Sequence, residues 1–101
     1  MDFIDVPGAS GVAYRFRLWP RGERPPPMAG NYIVARQTRE AVEVMLVGVA
    51  SDLSRVNAEE LRTAPDVHLF TRLNFARTIR TAEHADIVAR HSQAGVAEPD
   101  S

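Results

Sequence analysis

From Gly30 to Arg55 the chain reads GNYIVARQTREAVEVMLVGVASDLSR, and the order of elements here, strand, loop, strand, glycine turn and helix start, restricts the fold more than any other feature. Two strand-like apolar runs, Asn31 to Ala35 and Val42 to Val47, are separated by the polar loop Gln37 to Ala41. The second run leaves through Gly48 into Ser51 and Asp52, whose side-chain oxygens can accept from the unpaired N–H groups that open a helix. Apart from Glu43, the residues from Val42 to Val49 are apolar on both sides of the strand. That pattern predicts a central strand covered on both faces, flanked by strands at 12–19 and 31–36 or by a later one.

A chain of 101 residues suits one domain with one modest core. It has no apolar run approaching the ~20 residues of a membrane span, so no membrane partner is expected. The first residues, MDFIDVPGASG, carry acids where a secretory signal would carry positive charge, which predicts a cytoplasmic protein. Cysteine is absent, which excludes disulfides, thiolate nucleophiles and cysteine-based zinc sites.

Pro7, Gly8, Ser10 and Gly11 interrupt regular structure, so residues 1–11 are expected to form a flexible lead-in. From Val12 to Trp19 the apolar Val12, Tyr14, Phe16 and Leu18 alternate with Ala13, Arg15, Arg17 and Trp19, the period of a strand with one buried face. Trp19 on the arginine face can stack on a base or pack against arginine stems at a sheet edge. Pro20 to Ala29 contains Arg24-Pro25-Pro26-Pro27 and is a stiff connecting loop, since proline supplies no N–H and fixes φ. The strands it joins are expected to pair as antiparallel neighbours.

Downstream, a helix is expected from about Asp52 to Ala64 with Leu53, Val56, Leu61 and Ala64 on its buried stripe. A strand follows at 67–73, then a second helix over about 75–91 and a disordered tail at 93–101. The predicted fold is an α/β (α+β) domain over 12–92. Its sheet has three or four strands, mixed or antiparallel, with two packed helices.

All 12 basic residues are arginine; residues 12–92 hold all of them against nine acids, a net of +3. Arginine's planar fork suits phosphate, so a nucleic-acid partner is consistent with this excess. On the second helix Phe75, Ile79 and Ala82 form an apolar stripe that also carries Glu83, Asp86 and Arg90, while Arg77, Arg80, His84 and His91 fall on the opposite, solvated side. A carboxylate facing a core needs a partner, a metal or a cleft, which singles out Glu83 as the candidate site residue. Its alternative is an intrahelical network with Asp86 and Arg90. His84 and His91, seven residues apart, lack the spacing of a zinc pair, and His68 is remote in sequence.

Over about residues 30–91 the chain resembles the GIY-YIG nuclease superfamily. Gly30-Asn31-Tyr32 is similar to its first strand motif, Leu46-Val47-Gly48 to its second, Asp52-Leu53 to the opening of its helix and Glu83 to its metal-binding glutamate. The resemblance implies a divalent ion, Mg²⁺, held by Glu83 and substrate phosphate, with Tyr32 and a nearby arginine activating and stabilising the attacking water. Two positions depart from the pattern. Leu46 replaces the second tyrosine, and Val56 stands where the helix arginine belongs, with Arg55 one residue away. Losing a proton-transfer group typically costs on the order of 10²–10⁴ in rate.

The expected function is therefore a catalytically degenerate GIY-YIG-like domain that binds DNA or RNA through Arg36, Arg39, Arg55 and Arg72, with no cofactor. One alternative is an active Mg²⁺-dependent endonuclease using Tyr32, Arg55 and Glu83. The other is a protein-interaction or structural domain that meets a protein partner at Trp19 and the proline-rich loop.

Overall fold

The computed structural model describes residues 2–98. Six strands form one mixed sheet: β1 (Phe3–Pro7), β2 (Ala13–Leu18), β3 (Gly30–Gln37), β4 (Val42–Ala50), β5 (Val67–Leu73) and β6 (Gly95–Val96). Their spatial order is β1-β2-β5-β3-β4-β6. Neighbours are antiparallel except β4 and β6, which are parallel. A 3-10 turn (Leu53–Arg55) and a short helix α1 (Ala58–Leu61) follow β4, and the longer helix α2 (Arg77–Arg90) follows β5. The class is the α+β fold expected, with six strands in place of three or four.

Because strand side chains alternate, the sheet has two distinct faces. On the upper face Ile4, Val6, Tyr14, Phe16, Ile33, Ala35, Val47 and Phe70 form a core that α2 closes with Ile87. On the lower face Tyr32, Val34, Ala50, Val67 and Leu69 pack with Leu53 and Ala58 from the segment after β4. The pairing register lines up Phe3, Arg17, Thr71, Tyr32 and Gly48 as one row across five strands, all on the lower face.

Several elements differ from the sequence reading. Phe3–Pro7 is a strand, with Ile4 and Val6 buried and Phe3 and Asp5 outward; two acids and a following Pro-Gly obscure its period of two. Gly95–Val96 pairs with β4, where a structureless tail was expected. β2 does not pair with β3. β3 has its hairpin partner β4 on one side and β5 on the other, and the ten-residue loop Pro20–Ala29 carries β2 to the far edge of β5. β4 is covered on both faces only toward its C-terminal end, where Val47, Gly48 and Ala50 are buried while Val42 and Glu43 are exposed, and it lies one place from the edge, beside the two-residue β6.

The helix expected from Asp52 to Ala64 is broken in two. The Asp52 carboxylate accepts from the Ser54 N–H and hydroxyl, and Asn57 Oδ1 accepts from the Glu60 N–H. Each side chain starts a helix of its own, and Val56 between them is extended, with ψ of 124°. Leu53, Val56, Leu61 and Ala64 nonetheless all reach the lower core.

On α2 the expected face is turned. Phe75, just before the helix, and Ile79 are 67% and 52% exposed, whereas Arg80 and Ile87 are buried. The inward side is fixed by Ile87 and by a polar cluster around Glu83, so the apolar stripe alone does not set the helix's rotation.

Candidate functional site

The lower face of the sheet is only half covered. Over β3 and β4 lie the 3-10 turn and α1; over β1 and β2 the strand side chains meet a groove of about 520 Å³. The period of two along β2 sends Tyr14 and Phe16 into the upper core and leaves Arg15, Arg17 and Trp19 facing this groove with Phe3 of β1. Arg17 lies over the Trp19 ring at 5.9 Å and Arg15 over the Phe3 ring at 5.7 Å, both within the range of cation–π attraction. Arg15 also pairs with Asp5 at 3.2 Å. Pro26 and Met28 of the proline-rich loop form the opposite wall.

The groove's rim is braced from beneath. The Trp19 indole N–H donates to the Glu23 carbonyl at 3.2 Å, and Trp19 packs against the lower core. Arg62 is buried and its Nη2 donates to the carbonyls of Trp19 and Pro20 at 2.9 and 3.1 Å. Burial, and then the charge of Arg21, lower the pKa of this guanidinium from its usual value. Arg21 Nη2 in turn donates to the carbonyls of Ala64, Pro65 and Val67, tying the loop after β2 to the segment before β5.

On the upper face a polar network joins β5 to α2. Glu83 Oε1 accepts from Arg72 Nε and from Asn74 Nδ2, each at 2.9 Å. Asn74 also donates to the buried Asn31, whose own amide donates to the Arg80 carbonyl. The Arg72 guanidinium lies 5.5 Å from the Tyr14 ring centre. One turn along α2, Asp86 accepts from the Ser10 hydroxyl and N–H and from the Tyr14 hydroxyl. Those bonds, Ser10's first, hold the Asp86 pKa below the usual carboxylate range, and the bond to Asp86 raises that of Tyr14.

The structure brings Tyr32 and Arg55 together and sets Glu83 apart. Tyr32 and Arg55 line a lower-face cavity of about 280 Å³ with Asn57 and Glu60, whereas Glu83 lies on the opposite face of the sheet with Arg72. Leu46 and Val56, the departures from the family pattern, both pack into the lower core. Glu83 does not fit a divalent ion well, because one of its oxygens already takes two N–H donors, one of them cationic. Among the described residues no three His, Cys, Asp or Glu side chains converge as a metal site.

Nor do the four predicted binding arginines form one patch. Arg36 pairs with Asp66 at 3.2 Å and Arg55 with Asp52 at 3.9 Å. Arg72 is bound to Glu83, and Arg39 is exposed in the turn between β3 and β4. In the β3–β5 register Arg36 and Arg72 lie five residue positions apart, roughly 17 Å along the strands. Arg15 and Arg17 share the lower-face groove with Phe3 and Trp19; Arg72 also borders that groove, but the ring it lies over, Tyr14, is buried. The signal for Arg15 and Arg17 was the alternation that put them on the face of Trp19. No family model, curated protein or solved structure matches the chain.

Proposed function

We propose that this chain is a GIY-YIG-like domain without nuclease activity that binds nucleic acid through the open half of its lower sheet face. The observation that carries the reading is the placement of Arg15 and Arg17 beside Trp19 and Phe3 on a sheet surface that no other element covers. Guanidinium groups supply phosphate attraction and the rings supply stacking surface, the two components of a nucleic-acid site. The separation of Tyr32 from Glu83 supports binding over cleavage, since a hydrolytic site needs its metal ligand and its proton-transfer group at one phosphate.

A second reading, a protein-interaction domain, draws on the same groove, whose far wall is Pro26 and Met28. Fluorescence anisotropy of labelled single- and double-stranded DNA and RNA across a salt series separates the two. Binding that weakens with salt, and weakens further when Arg15 and Arg17 are both changed to alanine, supports the nucleic-acid reading. Absence of binding to every probe at low salt overturns it.

A further inference from the structure

We infer that the occupant of the open groove is single-stranded RNA, held by base stacking on Phe3 and Trp19. This rests on the nucleic-acid reading above and goes beyond it in naming the strand. The first reason is the balance of surface on offer. Phe3, Met28 and Leu73 are exposed apolar side chains on one groove, and the charge on it comes from Arg15, Arg17 and Arg72, the last already paired with Glu83. A duplex presents phosphates and base edges while its base faces are hidden in the stack, so it leaves those apolar groups uncovered. Unpaired bases present flat faces that rings of this kind cover.

The second reason is geometry. Phe3 stands opposite Arg17 in the β1–β2 register, and Trp19 is two residues beyond Arg17 on the same face. The two rings are thus diagonal cross-strand neighbours, with backbone positions roughly 7–8 Å apart, near enough to receive consecutive bases of an extended strand. Each ring has a guanidinium over it, Arg15 over Phe3 and Arg17 over Trp19, so a base that stacks on either ring displaces the guanidinium from that face and leaves it within reach of the base's phosphate. Trp19 is already held in place through its indole N–H and its carbonyl, which lowers the ordering cost of binding.

The third reason selects RNA. Asp5 lies on this face two residues from Phe3, paired to Arg15. A carboxylate repels a phosphate but accepts a hydrogen bond from a 2′-hydroxyl, a donor that DNA lacks.

The test is anisotropy titration of the full chain with three labelled probes: an oligouridine RNA of about ten nucleotides, the matching deoxyuridine DNA and a short RNA duplex. The RNA single strand is expected to bind most tightly, with a log–log salt slope of about −1.4, as for two phosphate contacts. Phe3→Ala and Trp19→Ala are each expected to weaken it about five-fold or more, and Trp19→Phe to retain most of the affinity. Asp5→Ala narrows the gap between RNA and DNA. Circular dichroism melts of each variant confirm folding, and the exposed Phe3 provides the test should Trp19→Ala fail to fold. Equal or tighter duplex binding overturns the single-strand assignment while leaving the nucleic-acid reading standing. Equal binding of RNA and DNA overturns the choice of RNA, and affinity unchanged in both ring variants overturns the surface. A self-association that Phe3→Ala abolishes, with no probe bound, overturns both readings in favour of a protein contact.

Discussion

The ring of Tyr32 lies against Gly48, its register partner on β4, so closely that a Cβ at Gly48 would run into Cζ, Cε1 and the hydroxyl oxygen of the tyrosine. Both residues are buried, and neither strand can shift without disturbing the β3–β4 ladder. Gly48→Ala is expected to cost about 1–3 kcal/mol, the range for overpacking a core, and to lower the melting temperature by about 4–8 °C for each kcal/mol. In a Tyr32→Ala background the same substitution has room. A double-mutant cycle by chemical denaturation is expected to show that Gly48→Ala loses most of its cost there; additive effects would mean that the ring is not what excludes the methyl.

β1 makes a similar claim on the upper face. Ile4 and Val6 are buried in the core that Ile87 closes, although they come from a segment that reads as a lead-in. Ile4→Ala is expected to destabilise the domain by about 2–5 kcal/mol, measured by urea unfolding, whereas the same change in a frayed segment would cost close to nothing.

β2 and β5 were legible because their apolar residues keep a period of two over six or more positions, and β3 and β4 because each is a nearly continuous apolar run bounded by polar or turn residues. β1 was not, since only two of its five residues are buried and the rest are charged, exposed or proline. Strand order was also hidden: nothing local to Leu18 says that its partner is Phe70, because pairing across fifty residues is a property of the assembled sheet. Rotation of α2 escaped for another reason. Glu83 finds partners in Arg72 and Asn74, bonds that exist only after β5 is in place, and Arg80 folds back onto the carbonyl of Phe75 just before the helix. Glu83 was singled out as a site carboxylate, with Asp86 and Arg90 of its own helix as the alternative partners; the partners it has are Arg72 and Asn74. Candidate binding arginines were sought along the family motifs, while the alternation of Arg15, Arg17 and Trp19 already placed three side chains on one face.

Glu83 is 17% exposed in its side chain and supplies the acceptor for both Arg72 and Asn74. Glu83→Ala leaves a partly buried guanidinium and amide without that acceptor. The expected loss is about 1–3 kcal/mol in unfolding experiments, with Glu83→Gln retaining part of the stability because its carbonyl can still accept. If Glu83→Ala were as stable as the parent, the network would not be joining α2 to β5.

Stability is expected to fall in acid in two stages. Burial lowers the pKa of His84 and of His68, so the folded state resists protonation of both rings. The unfolded chain takes up those protons first, and stability declines as pH drops below about 6.5 toward the lowered folded values. The second stage belongs to Asp86, whose carboxylate is stabilised by Ser10 and Tyr14. Its contribution is complete above the unfolded value of about 3.9 and is lost as pH falls through the depressed folded value. Unfolding free energy measured from pH 8 down to pH 2, at intervals of about half a unit, is expected to show both declines, and Asp86→Asn to remove the lower one. A lower decline that persists in Asp86→Asn would assign it to other carboxylates.

Arg62 sets two opposing costs against each other. Its side chain is 1% exposed, its ion pair to the solvent-facing Glu59 spans 3.7 Å, and its Nε and Nη1 have no hydrogen-bond acceptor among the described residues. Replacing it by methionine removes a buried charge that is poorly compensated, a change often neutral or stabilising. The same replacement strips the carbonyls of Trp19 and Pro20 of their donor, at a cost of about 1–3 kcal/mol. The two effects nearly cancel in global stability, but they act in different places. Arg62→Met is therefore expected to unfold within about 1 kcal/mol of the parent while amide exchange at Trp19 and Glu23 speeds up, because their segment has lost its brace. RNA affinity should fall with it, as Trp19 is no longer held for stacking. A variant with unchanged exchange at Trp19 and Glu23 would show that Arg62 does not position the groove.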